Sequence, residues 1–368
     1  MIAKEHIAYT YKLCPTEKQK ILFEKTFGCC RKVYNLMLND NKKHYKKTKG
    51  FFIPTPAKYK EEYEYLKEVD SCALVNEYMF LKRGFESFFR KNCKCPRFKS
   101  KKNNKDSYTT NNVSSSIRVT DKEVRLPKVG FVKAKIHREI PKDYVIKKAT
   151  ITKEKDGTFY VSLTLEYESD VTPIKEVETH VGLDYKSDGL FVSSKGDIPD
   201  TAKFYRKSER KLGKAQRKLS KKVKGSKNYK KQKRKVAKIA KHVANQRKDY
   251  LHKLSAELTS KYDLISVETL NMRAMSRRLY LGKSTMDNGF GMFVFMLEYK
   301  QKQKGHYLIK VDKFFPSSQL CQCGYKNPIT KDLKVRTVKC PKCGAEYDRD
   351  LNAAINIDNE GYRLYKTL

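Results

Sequence analysis

No apolar run in this 368-residue chain approaches the roughly 20 residues that a bilayer-crossing helix needs. The N-terminus also lacks the basic, apolar and small-residue succession of a secretory signal. Both absences predict an intracellular protein with no membrane partner. Histidine is scarce: there are seven residues and no His-x-His pair, which argues against a histidine-based rolling-circle mechanism. No combination of serine, histidine and aspartate marks a hydrolytic triad. Gly282-Lys283-Ser284 imitates the end of a phosphate-binding loop, but Arg277 stands where that loop requires glycine. Acids are in short supply too, with 41 Asp and Glu against 81 Lys and Arg, a formal net charge of +40.

Such an excess repels itself in the folded state and is best tolerated beside a polyanion. Nucleic acid is the usual one, because neutralising phosphates releases counterions whatever the sequence. The length permits two or three domains, and the 39% hydrophobic content is enough for more than one core. Ten cysteines in an intracellular chain are expected to be reduced or metal-bound, not paired as disulfides.

The residue patterns divide the chain. Residues Ile7 to Leu13 alternate as a strand, Pro15 ends it, and Thr16 precedes a helical spacing that continues to about residue 92. Short alternating segments around residues 117–119, 123–126, 131–136, 148–152 and 159–165 predict a small β-barrel or sandwich, which strand 7–13 can join. The helical region is then an insertion into the barrel. Val171-Thr172-Pro173 reads as a linker. Beyond it, His180–Asp184 and Asp263–Glu268 are apolar strands that each end in an acid, and Asp350 opens a late helix. Between them, residues 204–248 carry twenty lysines and arginines against one acid, Glu209, on a helical spacing that suits a nucleic-acid cradle. A helix is expected over 286–304 and a strand over 306–311.

Two sets of residues carry chemistry. Asp184, Glu268 and Asp350 offer hard oxygen ligands for Mg2+ or Mn2+, the layout of two-metal phosphodiester hydrolysis. They lie far apart in the chain, so only folding can unite them. Cys321-x-Cys323 and Cys340-x-x-Cys343 match a four-cysteine zinc ribbon whose first knuckle is one residue short, and Zn2+ is the expected ion.

These features together, with Gly182-Leu-Asp-Tyr185, Val267-Glu-Thr-Leu-Asn271 and Asp348-Arg-Asp-Leu-Asn-Ala-Ala354, resemble the TnpB nucleases. Those proteins are encoded by insertion sequences and are relatives of the compact type V CRISPR effectors. The resemblance spans nearly the whole chain and implies a multidomain α/β plus β-barrel protein. Residues 1–18 and 97–172 would form a wedge-type β-barrel, and 19–96 an inserted helical recognition domain. A RuvC-like (RNase H-like) nuclease would occupy 177–315 and 348–368, with a zinc ribbon inserted at 316–347. The implied catalytic and magnesium-binding residues are Asp184, Glu268 and Asp350, with Asp348 the less suited of the two late aspartates. The implied partners are a guide RNA, which pairs with target DNA, and that DNA, which the protein reads at a short adjacent motif. Ser71, Asn76, Thr109, Thr110 and Asn111 stand where motif readers are expected, and their short side chains serve equally well as turn and helix caps. Arg336 has two readings, a scissile-phosphate ligand or a structural residue. An RNA-guided repressor that does not cut is the nearest alternative function, and a CRISPR-associated descendant is another. The presence of all three acids favours cutting.

Overall fold

The computed structural model describes residues 3–102, 105–200, 203–272, 274–275, 282–332 and 335–368; Arg277 lies outside them. The chain forms two compact units, Met1–Asp170 and Val171–Leu368.

In the first unit, β1 (Ala3–Leu13) leads into α1 (Glu17–Thr48) and α2 (Ser71–Phe89). Six strands follow: β2 (Asp106–Asn111), β3 (Arg118–Val119), β4 (Glu123–Leu126), β5 (Gly130–Lys135), β6 (Val145–Lys153) and β7 (Phe159–Ser169). Thr16 and Gln19 build the start of α1 as a reciprocal capping box, each side chain taking the other's backbone N–H. The sheet order is β2-β6-β7-β1-β5-β4-β3, so the two helices separate β1 in sequence from strands that it joins in space. β1 and β7 pair antiparallel along their whole length, from Ala3 opposite Ser169 to Leu13 opposite Phe159. Tyr9, Tyr11 and Leu13 alternate inward on β1, as do Phe159, Val161, Leu163 and Leu165 on β7. Onto that face α1 lays Phe23 and Phe27, whose rings meet Phe159 and Tyr108 at 5.5 and 5.7 Å. Among the described residues no ladder joins the edge strands β2 and β3, so the expected barrel is an open seven-stranded antiparallel sheet there.

The second unit is a four-stranded sheet in the order β11-β10-β8-β9. Its strands are β8 (His180–Lys186), β9 (Leu190–Ser193), β10 (Leu264–Glu268) and β11 (Tyr307–Val311). β8, β10 and β11 run parallel and β9 antiparallel to β8. The basic stretch forms two helices, α3 (Phe204–Ser220) and α4 (Lys227–Lys261). The helix expected over 286–304 is broken in two, α5 (Gly282–Asn288) and α6 (Phe290–Lys304), because Gly289 takes a left-handed φ of 68°. That backbone conformation suits glycine, and an added Cβ would meet Leu251 at 3.2 Å. A small hairpin, β12 (Thr337–Lys339) and β13 (Glu346–Asp348), precedes the last helix, α7 (Arg349–Tyr365).

Strand parity sorts this sheet. Val181 and Leu183 of β8, with Ile265 and Val267 of β10, join Leu251, Phe293 and Leu297 in a core on one face. The alternate residues, His180, Gly182 and Asp184 with Ser266 and Glu268, face α7. Asp263 ties the starts of β8 and β10 together by accepting from the Thr179 N–H and hydroxyl, both at 3.0 Å, and from the Glu178 N–H. Burial alone would raise the Asp263 carboxyl, but these donors and the nearby His306 hold it below the ordinary 3.8. A lowered carboxylate stabilises the fold above about pH 4 and loses that contribution as pH falls through its folded value. The stability gap between the wild-type protein and Asp263→Asn is therefore expected to be on the order of 1 kcal/mol near neutrality and to shrink from about pH 5 to pH 3. Thermal unfolding midpoints measured across that range check this, and parallel curves would contradict it.

Candidate active site and metal centre

Asp184 and Glu268 sit at the C-terminal ends of adjacent parallel strands, in the register that pairs Leu183 with Val267. The Tyr185 N–H donates to Glu268 Oε1 at 2.9 Å and fixes that carboxylate beside Asp184. Asp350 arrives from the first turn of α7. The neighbouring Asp348 is spent on capping the helix, accepting the Leu351 N–H at 2.8 Å, and is exposed.

Two glycines allow α7 to lie this close. A Cβ on Gly182 would stand 2.2 Å from the Ala354 carbonyl oxygen and 2.5 Å from the Asp358 nitrogen. On α7 itself, a Cβ on Gly361 would stand 1.8 Å from Ser266 Oγ. Asp358 pins the helix to the sheet through His180 Nδ1 at 2.8 Å and the Ser194 hydroxyl at 2.7 Å.

The electrostatics follow from crowding three acids into one desolvated place. Burial pushes Asp184 well above the usual carboxylate range, and the charges of Glu268 and Asp350 push further, against Arg349 and Lys186. Burial also raises Glu268, opposed by the Tyr185 N–H. Asp350 has cations of its own: Arg336 at 2.7 Å, Arg349 at 3.6 Å and Lys186 at 3.7 Å. Among the described residues the oxygens of the three acids do not all come within 4.8 Å of one another. Three carboxylates on one face, too crowded to ionise together unaided, are a donor set suited to hard divalent cations.

The cysteine knuckles are closer together. The sulfurs of Cys321, Cys323, Cys340 and Cys343 all lie within 4.8 Å of one another, with Cys321–Cys343 and Cys323–Cys340 both at 3.7 Å. Ligands about 2.3 Å from a tetrahedral zinc stand roughly 3.8 Å apart, so the four sulfurs fit that ion. The shortened first knuckle manages this with a tighter turn. Gly324 N–H returns to the Cys321 carbonyl, whereas in the second knuckle Gly344 N–H returns to the Cys340 carbonyl one residue further back. Both glycines have positive φ, 80° and 75°. Burial opposes ionisation of Cys340, yet the N–H groups of Cys343 and Lys342 bring its thiol down to about 6. The lowering favours the thiolate, the form that ligates metal.

Several residues of this unit gave no sequence signal of their role. Asn352 and Asn356 of α7 donate to the Leu320 carbonyl at 2.6 and 2.7 Å and accept from Gln322, which anchors the first knuckle to the helix that carries Asp350. Arg349 holds the Asp332 and Val335 carbonyls from the other side. Asn352 lies inside the motif already singled out, but a motif does not say which partner a side chain takes.

In the first unit, α2 and β2 bring Asn76 together with Thr109 and Asn111: the Asn76 amide donates to the Thr109 carbonyl at 3.0 Å and to Asn111 Oδ1 at 3.3 Å. Ser71, exposed at the start of α2, accepts from Lys60. Thr109 bonds Thr150 through its hydroxyl, and Thr110 is fully buried. Thr110 thus offers no edge to a base in this conformation and backs the other residues from inside the sheet, where β2 is covered on both faces.

The comparisons agree with one another. A family model described as "Probable transposase" matches residues 162–279, and one described as the Cas12f1-like TNB domain matches 290–357. A helix-turn-helix model matches residues 1–50, within which the described residues form a strand, Ala3–Leu13, and one unbroken helix, Glu17–Thr48. A Streptomyces pristinaespiralis protein named "Putative RNA-guided DNA endonuclease" is 33% identical over 95% of this chain and 88% of its own length. The Escherichia coli protein "Putative RNA-guided DNA endonuclease InsQ" is 29% identical over 97% of this chain and 92% of its own length. A solved Cas12f1–sgRNA–target DNA complex contains a chain of the same fold, with a TM-score of 0.60 and 15% identity over 93% of this chain and 83% of that one. With a relative one-third identical along almost the entire length of both sequences, this protein belongs to the TnpB family.

Proposed function

We propose that the chain is an RNA-guided DNA endonuclease that recognises a short target-adjacent motif and cuts by metal-dependent hydrolysis. The observation that carries this reading is the meeting of Asp184, Glu268 and Asp350 on the α7 face of the sheet, at the ends of its parallel strands, with Asp184 driven toward its protonated form by burial and by the other two. Residues 177–315 with 348–368 act as the RuvC-like nuclease, 316–347 as the zinc ribbon, 1–18 with 97–172 as the wedge and 19–96 as the recognition insertion. The relatives' names and the charge of +40 support guide RNA and target DNA as partners. No described helix is long and apolar enough to cross a membrane.

Within the site, Asp184, Glu268 and Asp350 would hold Mg2+ or Mn2+. Bound there, the cations would supply an activated water and stabilise the leaving oxygen. The Tyr185 N–H aims one Glu268 oxygen and leaves the other for a cation. Lys186 and Arg349 steady Asp350, and Arg336, 60% exposed at its side chain, can exchange that carboxylate for a backbone phosphate. Ser71, Asn76 and Asn111, with Thr109 beside them, read the adjacent motif. Expression with the native flanking DNA, followed by sequencing of co-purified RNA, tests the guided reading. One discrete RNA with a fixed scaffold and a variable end is expected; a broad host-derived mixture would replace guidance with indiscriminate binding.

The cysteine cluster predicts about one zinc per chain. Cys340→Ser is expected to lower that content sharply and to weaken packing of the ribbon on α7, since structural zinc contributes directly to folding. Elemental analysis of the purified protein checks it; a zinc-free protein of undiminished stability would refute it.

A further inference from the structure

The first unit carries an exposed aromatic cluster between the turn after α1 and the C-terminal end of α2, the helix whose N-terminal part carries Ser71 and Asn76. Phe51, on the turn after α1, packs edge-on against Phe85 and Phe89 of α2, with ring centroids 5.0 and 5.4 Å apart and ring planes at 72° and 82°. Phe88 lies 5.6 Å from Phe89. Phe85 is buried and anchors the group, but Phe51, Phe88 and Phe89 are 49%, 37% and 59% exposed. The turn is held in place: the Asn41 amide donates to the Phe52 carbonyl at 2.8 Å, and the Gly50 N–H donates to the Thr48 hydroxyl. Exposing three preordered phenylalanines costs solubility, so the arrangement calls for an occupant.

Two features identify its chemistry. Segments 42–52 and 81–99 hold twelve lysines and arginines against a single acid, Glu86, which disfavours a second copy of this basic chain and favours a polyanion. The large exposed hydrophobic side chains of the same two segments are all aromatic: Tyr45, Phe51, Phe52, Phe88, Phe89 and Phe98. Flat rings set among cations are what successive bases of a single strand stack upon. Lys42 already rests its ammonium 4.5 Å over the Phe98 ring, so these faces accept cations as well as bases.

We infer that Phe51, Phe88 and Phe89 form a stacking platform for unpaired bases of a single-stranded nucleic acid, whose phosphates the surrounding lysines and arginines hold. This rests on the nucleic-acid reading of the charge and goes beyond the motif-reading and cleavage sites.

The test is photocrosslinking of the full-length protein, without divalent cation, to RNA and DNA oligonucleotides carrying 5-iodouracil, with adducts located by mass spectrometry. Adducts on peptides containing Phe51, Phe88 or Phe89 are expected. They should fall roughly tenfold or more in Phe51→Leu/Phe89→Leu, which keeps apolar bulk but removes the π faces, and persist in Phe89→Tyr. The RNA and DNA arms show which strand the platform prefers. Bound oligonucleotide with adducts only elsewhere, or undiminished in the leucine variant, overturns the platform and leaves the function intact. Concentration-dependent dimers that Phe89→Leu abolishes, with no adducts there, replace it with a self-association surface. No oligonucleotide binding at all overturns the platform and the nucleic-acid reading together.

Discussion

Asp184→Ala is expected to leave guide and target binding intact while reducing DNA cleavage by at least a thousandfold. Removing one metal-ligating carboxylate takes away most of the transition-state stabilisation at the site, several kcal/mol, and each 1.4 kcal/mol is about tenfold in rate. Binding should be unharmed because the substitution also relieves the crowding of Asp184 with Glu268 and Asp350. Asp348→Ala is the matched control. That carboxylate caps α7 and is exposed, so its loss should cost about 1 kcal/mol of stability with cleavage retained. A single lysine removed from residues 204–248 should lower the salt dependence of binding by roughly one unit per lost phosphate contact, without stopping cleavage. The measurement is a time course on plasmid target with the co-purified RNA. An Asp184→Ala protein that cuts at the wild-type rate, or a lysine variant as inactive as it, would overturn the assignment of the site.

Gly182→Ala is expected to cost more stability than Gly361→Ala, the other methyl that would press between α7 and the sheet. The new Cβ would fall 2.2 Å from a carbonyl oxygen and 2.5 Å from a backbone nitrogen of α7, and backbone cannot swing aside as a side chain can. The helix must lift from the sheet, which breaks the Asp358 contacts to His180 and Ser194 and withdraws Asp350 from the strand ends. A loss above about 4 kcal/mol belongs to this kind of backbone conflict. Gly361→Ala should also be costly but rank below it, because the atoms it meets belong to one side chain: the Ser266 hydroxyl at 1.8 Å can rotate away, and only the Ser266 Cβ at 2.4 Å then forces a shift. Denaturant midpoints for the two variants, with limited proteolysis to follow the second unit, test the ranking. A Gly182→Ala protein as stable as wild type would mean that α7 does not pack on β8 as described.

Much of this molecule is legible in its sequence, for local reasons. Alternation along β1 and β7, the Thr16 and Gln19 box, and the apolar strands that end in Asp184 and Glu268 all follow from residue spacing, because strand and helix periods are properties of the backbone. The cysteine spacing points to the four-sulfur cluster that the fold assembles, and the charge points to a polyanionic partner. Tertiary structure decided what those patterns could not. Gly289 breaks an expected helix because Leu251 and the side chain of Arg247 approach it from α4, a neighbour 38 positions away. The knuckle that is one residue short still seats both sulfurs, because Gly324 closes a tighter turn. Thr110 withdraws from the surface because β2 is covered on both faces. Above all, the three acids become one site only when Gly182 lets α7 touch the sheet. Which carboxylates share a desolvated space, and which cations stand beside Asp350, depends on long-range packing, where distances of a few ångströms are set by residues that carry no charge at all.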